Sequence, residues 1–397
     1  MKKKLLFAIP SLSAGGGEKS LVTLLSQIDY EKYEVDLFLF NHEGIFMDLL
    51  PNEVNVLPLP ESYKVFSFPL LRAVSGLFLR RQLQLINQRF LYACKYRGAS
   101  NVAIREQSNW KYLSNSFENL NKAYDVAIGF LEKSSTYFIV DKVMAKKKIG
   151  WVHIDYDHLG MDPDFDIHYF KKLDHIVTVS EECGEILKRR FPSENHKVEV
   201  IYNIVSPLLI NKMANLVKED VYQKNKDEIH ILSIGRLHPQ KGYEIAIDAC
   251  KKLVDSGINI KWHIIGDGEE RGRLTHLIKE NRIEDHFKLL GLKSNPYPYI
   301  KQADIYAQTS KFEGKSIAID EAKILQKPIL ITNYSTAKDQ IQDNVEGLIV
   351  NMTPQAVMQG ILKLIEDHQL RSQFEMNLSQ KKLGTESEIN KLYQICN

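Results

Sequence analysis

Short runs of five or six apolar residues, separated by stretches with helical spacing, organise this chain. KLLFAI (4–9), EVDLFLF (34–40), VNVLPL (54–59), DVAIGFL (125–131), KKIGWVH (147–153) and HIVTVS (175–180) form a first series. SLVTLLSQI (20–28) shows the helical spacing between them. Nearly continuous apolar runs predict strands buried on both faces, and the intervening helices predict a parallel sheet wrapped by helices. The pattern then breaks at SPLLINKMANLVKEDVYQKNKDE (206–228), which is polar, lacks strand character and reads as a linker. A second series follows: IHILSIG (229–235), IKWHIIG (260–266), FKLLGL (287–292), DIYAQTS (304–310), KPILIT (327–332) and GLIV (347–350). The expected architecture is α/β, with two Rossmann-like, doubly wound domains. Ligands of such sheets favour the carboxyl ends of the strands.

Length and composition agree. At 397 residues, 44% hydrophobic and 26% charged, the chain has material for two ordinary cores. A formal net charge of +2 excludes a globally basic nucleic-acid binder. Cys94, Cys183, Cys250 and Cys396 are scattered, without the spacing of a zinc site or disulfide framework, which fits a reducing, cytoplasmic setting. The basic start, MKKK, precedes only about six apolar residues before Pro10, short of a signal peptide's apolar region, so a first strand is expected there. No run reaches the ~18 apolar residues of a membrane span.

Candidate chemistry gathers after two strands of the second series. SIGRLHPQKG (233–242) places Arg236 and Lys241 in one loop behind Gly235. Two exposed cations usually mean a solvated turn; directly after a domain's first strand, with a glycine clearing the backbone, they suit a diphosphate. FEGKSIAIDEA (312–322) begins a helix near Gly314–Ser316, whose free N–H groups and positive end make an anion site from Gly314, Lys315 and Ser316. Glu321 lies in the helix, about 7–8 Å along its axis from Ser316, within reach of a ribose whose vicinal hydroxyls a carboxylate can accept. Glu313 stands just outside the helix, towards whatever lies beyond the phosphate. Two such acids arise often by chance; their strand–glycine–serine setting gives them meaning. Gly266 and Gly268 in IIGDGEE lack full dinucleotide-fingerprint spacing and read as a supporting turn. The acids of Asp155–Asp157 and Asp162–Asp166 contain D-x-D, a pattern able to hold a metal, but read better as helix caps or lining.

These pieces resemble the retaining glycosyltransferases of family GT4, of GT-B architecture. The matching segments are GGGEK (15–19), WVH (151–153), GRLHPQKG, IIGDGEE and the E-x7-E of 313–321. The resemblance implies domains at 1–205 and 206–375, with a final helix from about 376 to 397 crossing back to the first. It implies a hexose moved from a nucleotide diphosphate sugar, with uridine the base by family habit and UDP-sugar the donor, and neither a metal nor another cofactor. Glu321 would hold the ribose and Glu313 the sugar hydroxyls. Arg236 and Lys241 would neutralise the leaving diphosphate. Gly15, Gly16 and Gly17 would bring backbone against the donor, and His153 would lie beside the transferring sugar, although a lone strand-end histidine is ordinarily structural. Alternatives are a non-catalytic partner subunit keeping the fold, or a nucleotide-sugar epimerase.

The stretch 69–104 contains no acid but holds Arg72, Arg80, Arg81, Arg89, Lys95 and Arg97 among exposed-looking leucines. A basic amphipathic helix there would meet an anionic membrane from the inner face, suiting a glycan or lipid-linked acceptor; the plainer reading is a helix on its own sheet with solvated arginines.

Overall fold

The computed structural model describes residues 2–13, 15–98, 101–216, 221–222, 228–293 and 295–397. The chain divides into two compact units, one of residues 1–13, 21–202 and 389–397, the other of 14–20 and 203–388. The segment returning to the first unit is thus shorter than expected: the helix His368–Ser379 belongs to the second unit, and only Ile389–Asn397 belongs to the first.

The first unit is built on seven parallel strands: β1 (Lys3–Ile9), β2 (Tyr33–Leu39), β3 (Val54–Val56), β4 (Ala123–Gly129), β5 (Met144–Val152), β6 (His175–Thr178) and β7 (Val198–Val200). Their spatial order is β3-β2-β1-β4-β5-β6-β7, so the winding reverses between β1 and β4, where Ala8 pairs with Gly129. Every residue from Leu5 to Ile9 is buried, because helices cover both faces of the sheet. Strand β7 escaped the sequence reading: it is three residues long, only partly buried, and paired with β6 alone.

The second unit has six parallel strands, β8 (Ile229–Ile234), β9 (Ile260–Ile265), β10 (Phe287–Leu289), β11 (Ile305–Gln308), β12 (Ile329–Thr332) and β13 (Gly347–Val350), in the order β10-β9-β8-β11-β12-β13. Adjacent residues of one strand feed opposite cores. Ile231 packs with Trp262, Ala246 and Leu330, while Leu232 packs with Tyr306, Ile319 and Ile331. The winding reverses between β8 and β11, so the loops leaving these two strands open a crevice at their carboxyl ends.

The expected linker is partly helical. Pro207–Ala214 forms a helix with proline at its first turn, and Ile210 and Ala214, one turn apart, bury into the second core. Residues 217–220 and 223–227 of that segment lie outside the described residues.

The basic stretch is not one helix. Leu70–Leu79 and Leu83–Gly98 are separated at Arg81, which adopts the left-handed conformation (φ 57°), and the Gln82 N–H donates to the Leu77 carbonyl to close the first helix. Among the described residues no helix is long and apolar enough to cross a membrane.

Candidate active site at the second switch point

The loop after β8 runs Gly235–Gly242 and is wedged in place by glycines. Gly242 is left-handed (φ 59°), and a Cβ there would lie 2.3 Å from the Thr309 carbonyl oxygen. A Cβ on Gly266 would lie 1.9 Å from the Gly235 carbonyl oxygen and one on Gly268 2.4 Å from that of Leu237. The IIGDGEE turn therefore supports the loop after β8 directly, through Leu237 N–H to Asp267 O and Glu270 N–H to Leu237 O.

This loop meets the one after β11. Lys241 Nζ lies 2.5 Å from Glu313 Oε1, and the Glu313 carboxylate also accepts from Ser310 Oγ (2.6 Å), Gln308 Nε2 (3.1 Å) and Gln240 Nε2 (3.3 Å). Glu313 is buried. The resemblance implies different donor contacts for these two charges; the structure pairs them. Arg236 differs. Its side chain is mostly exposed and reaches Glu269 at 3.1 Å, at the rim of the loop.

The helix Ile317–Ile324 begins at Ser316, as expected, but the Ser316 N–H is engaged. It donates to Gln340 Oε1 (2.9 Å), and Gln340 Nε2 returns a bond to the Ser316 carbonyl (3.0 Å). Ser316 Oγ donates to Gln308 Oε1. This corrects the expectation that Ser316 offers its N–H to a phosphate and narrows the backbone anion site to Gly314 and Lys315. Gln308, Gln340 and Tyr334, whose hydroxyl donates to Gln340 Oε1, were not singled out from the sequence. No periodicity signals a side chain that holds a neighbouring loop.

Glu321, 2% exposed, forms an ion pair with Lys19 and accepts from the Tyr297 hydroxyl (3.1 Å). Lys19 also lies over the Tyr297 ring, 4.6 Å from its centroid. Burial pulls the Lys19 ammonium down, but Glu321 and the Tyr297 hydroxyl outweigh it and hold it above the ordinary lysine value. Burial, then Glu321, push the Tyr297 hydroxyl up to about 12. Lys19 belongs to the GGGEK segment, where Gly15, Gly16 and Gly17 open the helix Gly16–Leu25 and the Lys19 N–H donates to the Gly15 carbonyl. The glycines were read as donor contacts, and the lysine four residues on was missed.

In the first unit, His153 follows β5. Its N–H donates to Glu132 (3.2 Å), its ring packs against Phe130 and Trp151, and Nε2 is buried without a partner among the described residues. Burial takes the imidazole down to about 3, so it is neutral near pH 7. The nearby acids are occupied as caps and pairs: Asp155 caps Tyr156–Leu159, Asp162 caps Pro163–Phe170, Arg189 and Arg190 hold Asp157, and the Tyr137 and Tyr156 hydroxyls donate to Asp166.

The basic residues of the first unit divide. Arg89 is internal: Nε donates to the Phe66 carbonyl (2.8 Å) and an Nη to that of Phe68 (3.0 Å). It joins segments of the fold rather than facing outward. Arg72 lies over the Phe68 ring, Arg80 reaches Glu61 at 3.7 Å, and Arg72, Arg80 and Arg81 are exposed beside exposed Leu71, Phe78, Leu79, Leu83 and Phe90. The side chains of Lys95 and Arg97 lie outside the described part.

Two parallel sheets, each with a switch point, give the chain the GT-B architecture. Residues 217–381 match the family model "Glycosyl transferases group 1". An uncharacterized glycosyltransferase of Methanocaldococcus jannaschii is 28% identical over 44% of this chain and 43% of its own length. The N-acetylgalactosamine-N,N'-diacetylbacillosaminyl-diphospho-undecaprenol 4-alpha-N-acetylgalactosaminyltransferase of Campylobacter jejuni is 26% identical over 94% of this chain and 93% of its own. Among solved structures, Anabaena HepE in complex with UDP and glucose superimposes with a TM-score of 0.71 at 16% identity, covering 99% of both chains. Staphylococcus aureus TarM in complex with fondaparinux, alpha-GlcNAc-glycerol and UDP does so with a TM-score of 0.69 at 14% identity, covering 100% of both.

Proposed function

We propose that this chain moves a hexose from a UDP-sugar to a glycan or lipid-linked acceptor in bacterial surface-polysaccharide synthesis, with retention of anomeric configuration and without a metal. The observation that carries this reading is the meeting of the two switch-point loops, which sets Lys241, Glu313 and the amino end of Ile317–Ile324 around one crevice. The names of the Campylobacter relative and of the UDP-bound neighbours support the donor and acceptor classes.

In this reading the diphosphate lies against the Gly314 and Lys315 backbone, where the helix's positive end favours an anion. Lys241 exchanges its Glu313 partner for the diphosphate, and Arg236 swings from Glu269 to the same charge. Glu321 accepts from the ribose hydroxyls, with Tyr297 fixing its orientation. Glu313, released from Lys241 but still held by Ser310 and Gln308, accepts from the sugar's hydroxyls. As the anomeric carbon–phosphate oxygen bond breaks, the acceptor oxygen bonds to the same face of that carbon. Its proton passes to the leaving diphosphate, so no side-chain base is required.

The exposed arginines and leucines of 71–83 would dock the protein peripherally on an anionic membrane at the cytoplasmic face, each cation contributing about 1 kcal/mol. Replacing Arg72, Arg80 and Arg81 together by serine should abolish flotation with anionic vesicles; undiminished flotation would remove the membrane from the proposal.

Slow release of UDP from a UDP-sugar without acceptor tests the central reading. No turnover with any nucleotide sugar would favour a non-catalytic partner, and interconversion of two sugar nucleotides an epimerase.

A further inference from the structure

The first unit has a switch point of its own, between β1 and β4, and a cavity of about 280 Å³ opens there. Pro10 after β1, Phe40 after β2 and Ser134 after β4 form its floor, and Tyr63, Tyr92 and Asn109 line it from covering helices. None of these residues was singled out by the sequence. At 280 Å³ the cavity falls at the small end of ligand pockets, which run from about 300 to 1,000 Å³. That admits one ring rather than a chain of them.

The lining is rigid and aromatic. Tyr63 stacks on Phe117 (centroids 4.3 Å apart) and meets Phe40 edge-on, and Tyr92 stands edge-on to Phe66. One polar group within it is unusual. Asn109 is 2% exposed, yet neither its amide oxygen nor its amide nitrogen has a hydrogen-bond partner among the described residues. Its neighbours on the helix Val102–Leu113 are all engaged. Gln107 bonds the Asp162 backbone at both ends, Trp110 Nε1 donates to Asp141, and Glu106 accepts from Lys133 and Ser134. A buried polar group left unpaired costs roughly 1–3 kcal/mol, and native structures rarely retain one without a purpose.

We infer that this cavity binds a single sugar ring of the acceptor. An asparagine amide presents a donor and an acceptor side by side, which matches two vicinal hydroxyls, one accepting from Nδ2 and one donating to Oδ1. The apolar face of the ring lies on the tyrosines, and the Glu106–Lys133 pair at the edge offers further polar contacts. The site rests on the transferase reading and adds to it a specificity pocket for the sugar that receives the transfer. Tyr92 stands on the same helix, Leu83–Gly98, as exposed Leu83 and Phe90, so the ring would sit under the surface proposed to meet lipid.

The test uses the full chain and a panel of methyl glycosides of glucose, galactose and their N-acetyl forms, with binding read by saturation-transfer NMR. At least one glycoside should bind the wild type. Asn109→Ala, and Asn109→Leu, which keeps the branched shape but removes both polar atoms, should weaken it tenfold or more. Neither should lower Tm, because each removes an unsatisfied amide, and neither should change UDP affinity. A lowered Tm with glycoside binding retained would make Asn109 structural and overturn the proposal. So would the absence of binding by every glycoside. Displacement of the glycoside by a UDP-sugar, but not by UDP, would assign the cavity to the donor's ring and overturn the acceptor role. Failure of UDP itself to bind would instead overturn the transferase reading, which separates the two outcomes.

Discussion

The two switch points of this protein are finished to different degrees. At the β8/β11 crevice three charged pairs stand ready: Lys241 with Glu313, Lys19 with Glu321, Arg236 with Glu269. At the β1/β4 cavity a buried asparagine has no partner among the described residues. The contrast has a physical cause. An unpaired charge in a buried site costs several kcal/mol, so a site for a charged ligand must hold provisional internal partners until the ligand replaces them. A neutral amide costs far less to leave unsatisfied, so a site for an uncharged ring can wait open.

Substitutions can break this comparison. The largest effect is expected at Lys241. Lys241→Ala should lower kcat about 10²–10³-fold, the usual result of deleting one group that stabilises developing charge, with a smaller change in KM for the donor; steady-state kinetics decides, and equal mild effects on both would dissolve the distinction between rate and binding. Next is Glu321→Gln, which keeps the side chain's size but removes the charge proposed to accept from the ribose. A hydrogen bond to a charged group contributes about 1.5–3 kcal/mol, so UDP affinity by calorimetry should fall roughly 10- to 150-fold. Tyr297→Phe removes one hydrogen bond to Glu321 and should cost about 1 kcal/mol, near fivefold in UDP affinity; no change would show that Tyr297 does not orient the carboxylate.

The smallest effect concerns His153 and pH. Its folded value, about 3, lies below the ordinary 6.5, so between these values the unfolded chain binds a proton that the folded chain refuses. Stability from this residue is therefore complete above pH 6.5 and is lost as pH falls towards 3. Thermal melts at pH 7 and pH 5 should show a decline that His153→Gln reduces. An unchanged decline would mean the ring takes up its proton in the folded state.

The strands were legible because both faces of each parallel sheet are covered, which turns every strand into an apolar run such as Leu5–Ile9. The two loops of the second unit were legible because glycine, cations and a helix start stand close together in sequence. What escaped were pairings that the fold alone creates. Nothing in 15–19 announces that Lys19 meets Glu321, and nothing in 340 announces that Gln340 takes the Ser316 N–H. Asn109 escaped for the opposite reason: its distinguishing property is a missing contact, which no residue type encodes. The linker helix Pro207–Ala214 is itself mostly apolar and was masked by the polar residues that follow it; Ile210 and Ala214 seat it in the core.

The most direct measurement is a crystal structure with UDP bound. The diphosphate is expected within hydrogen-bonding distance of Arg236, Lys241 and the Gly314–Lys315 backbone, the ribose on Glu321, and Lys241 turned away from Glu313. UDP bound elsewhere, or bound there with the Lys241–Glu313 pair intact, would contradict this expectation.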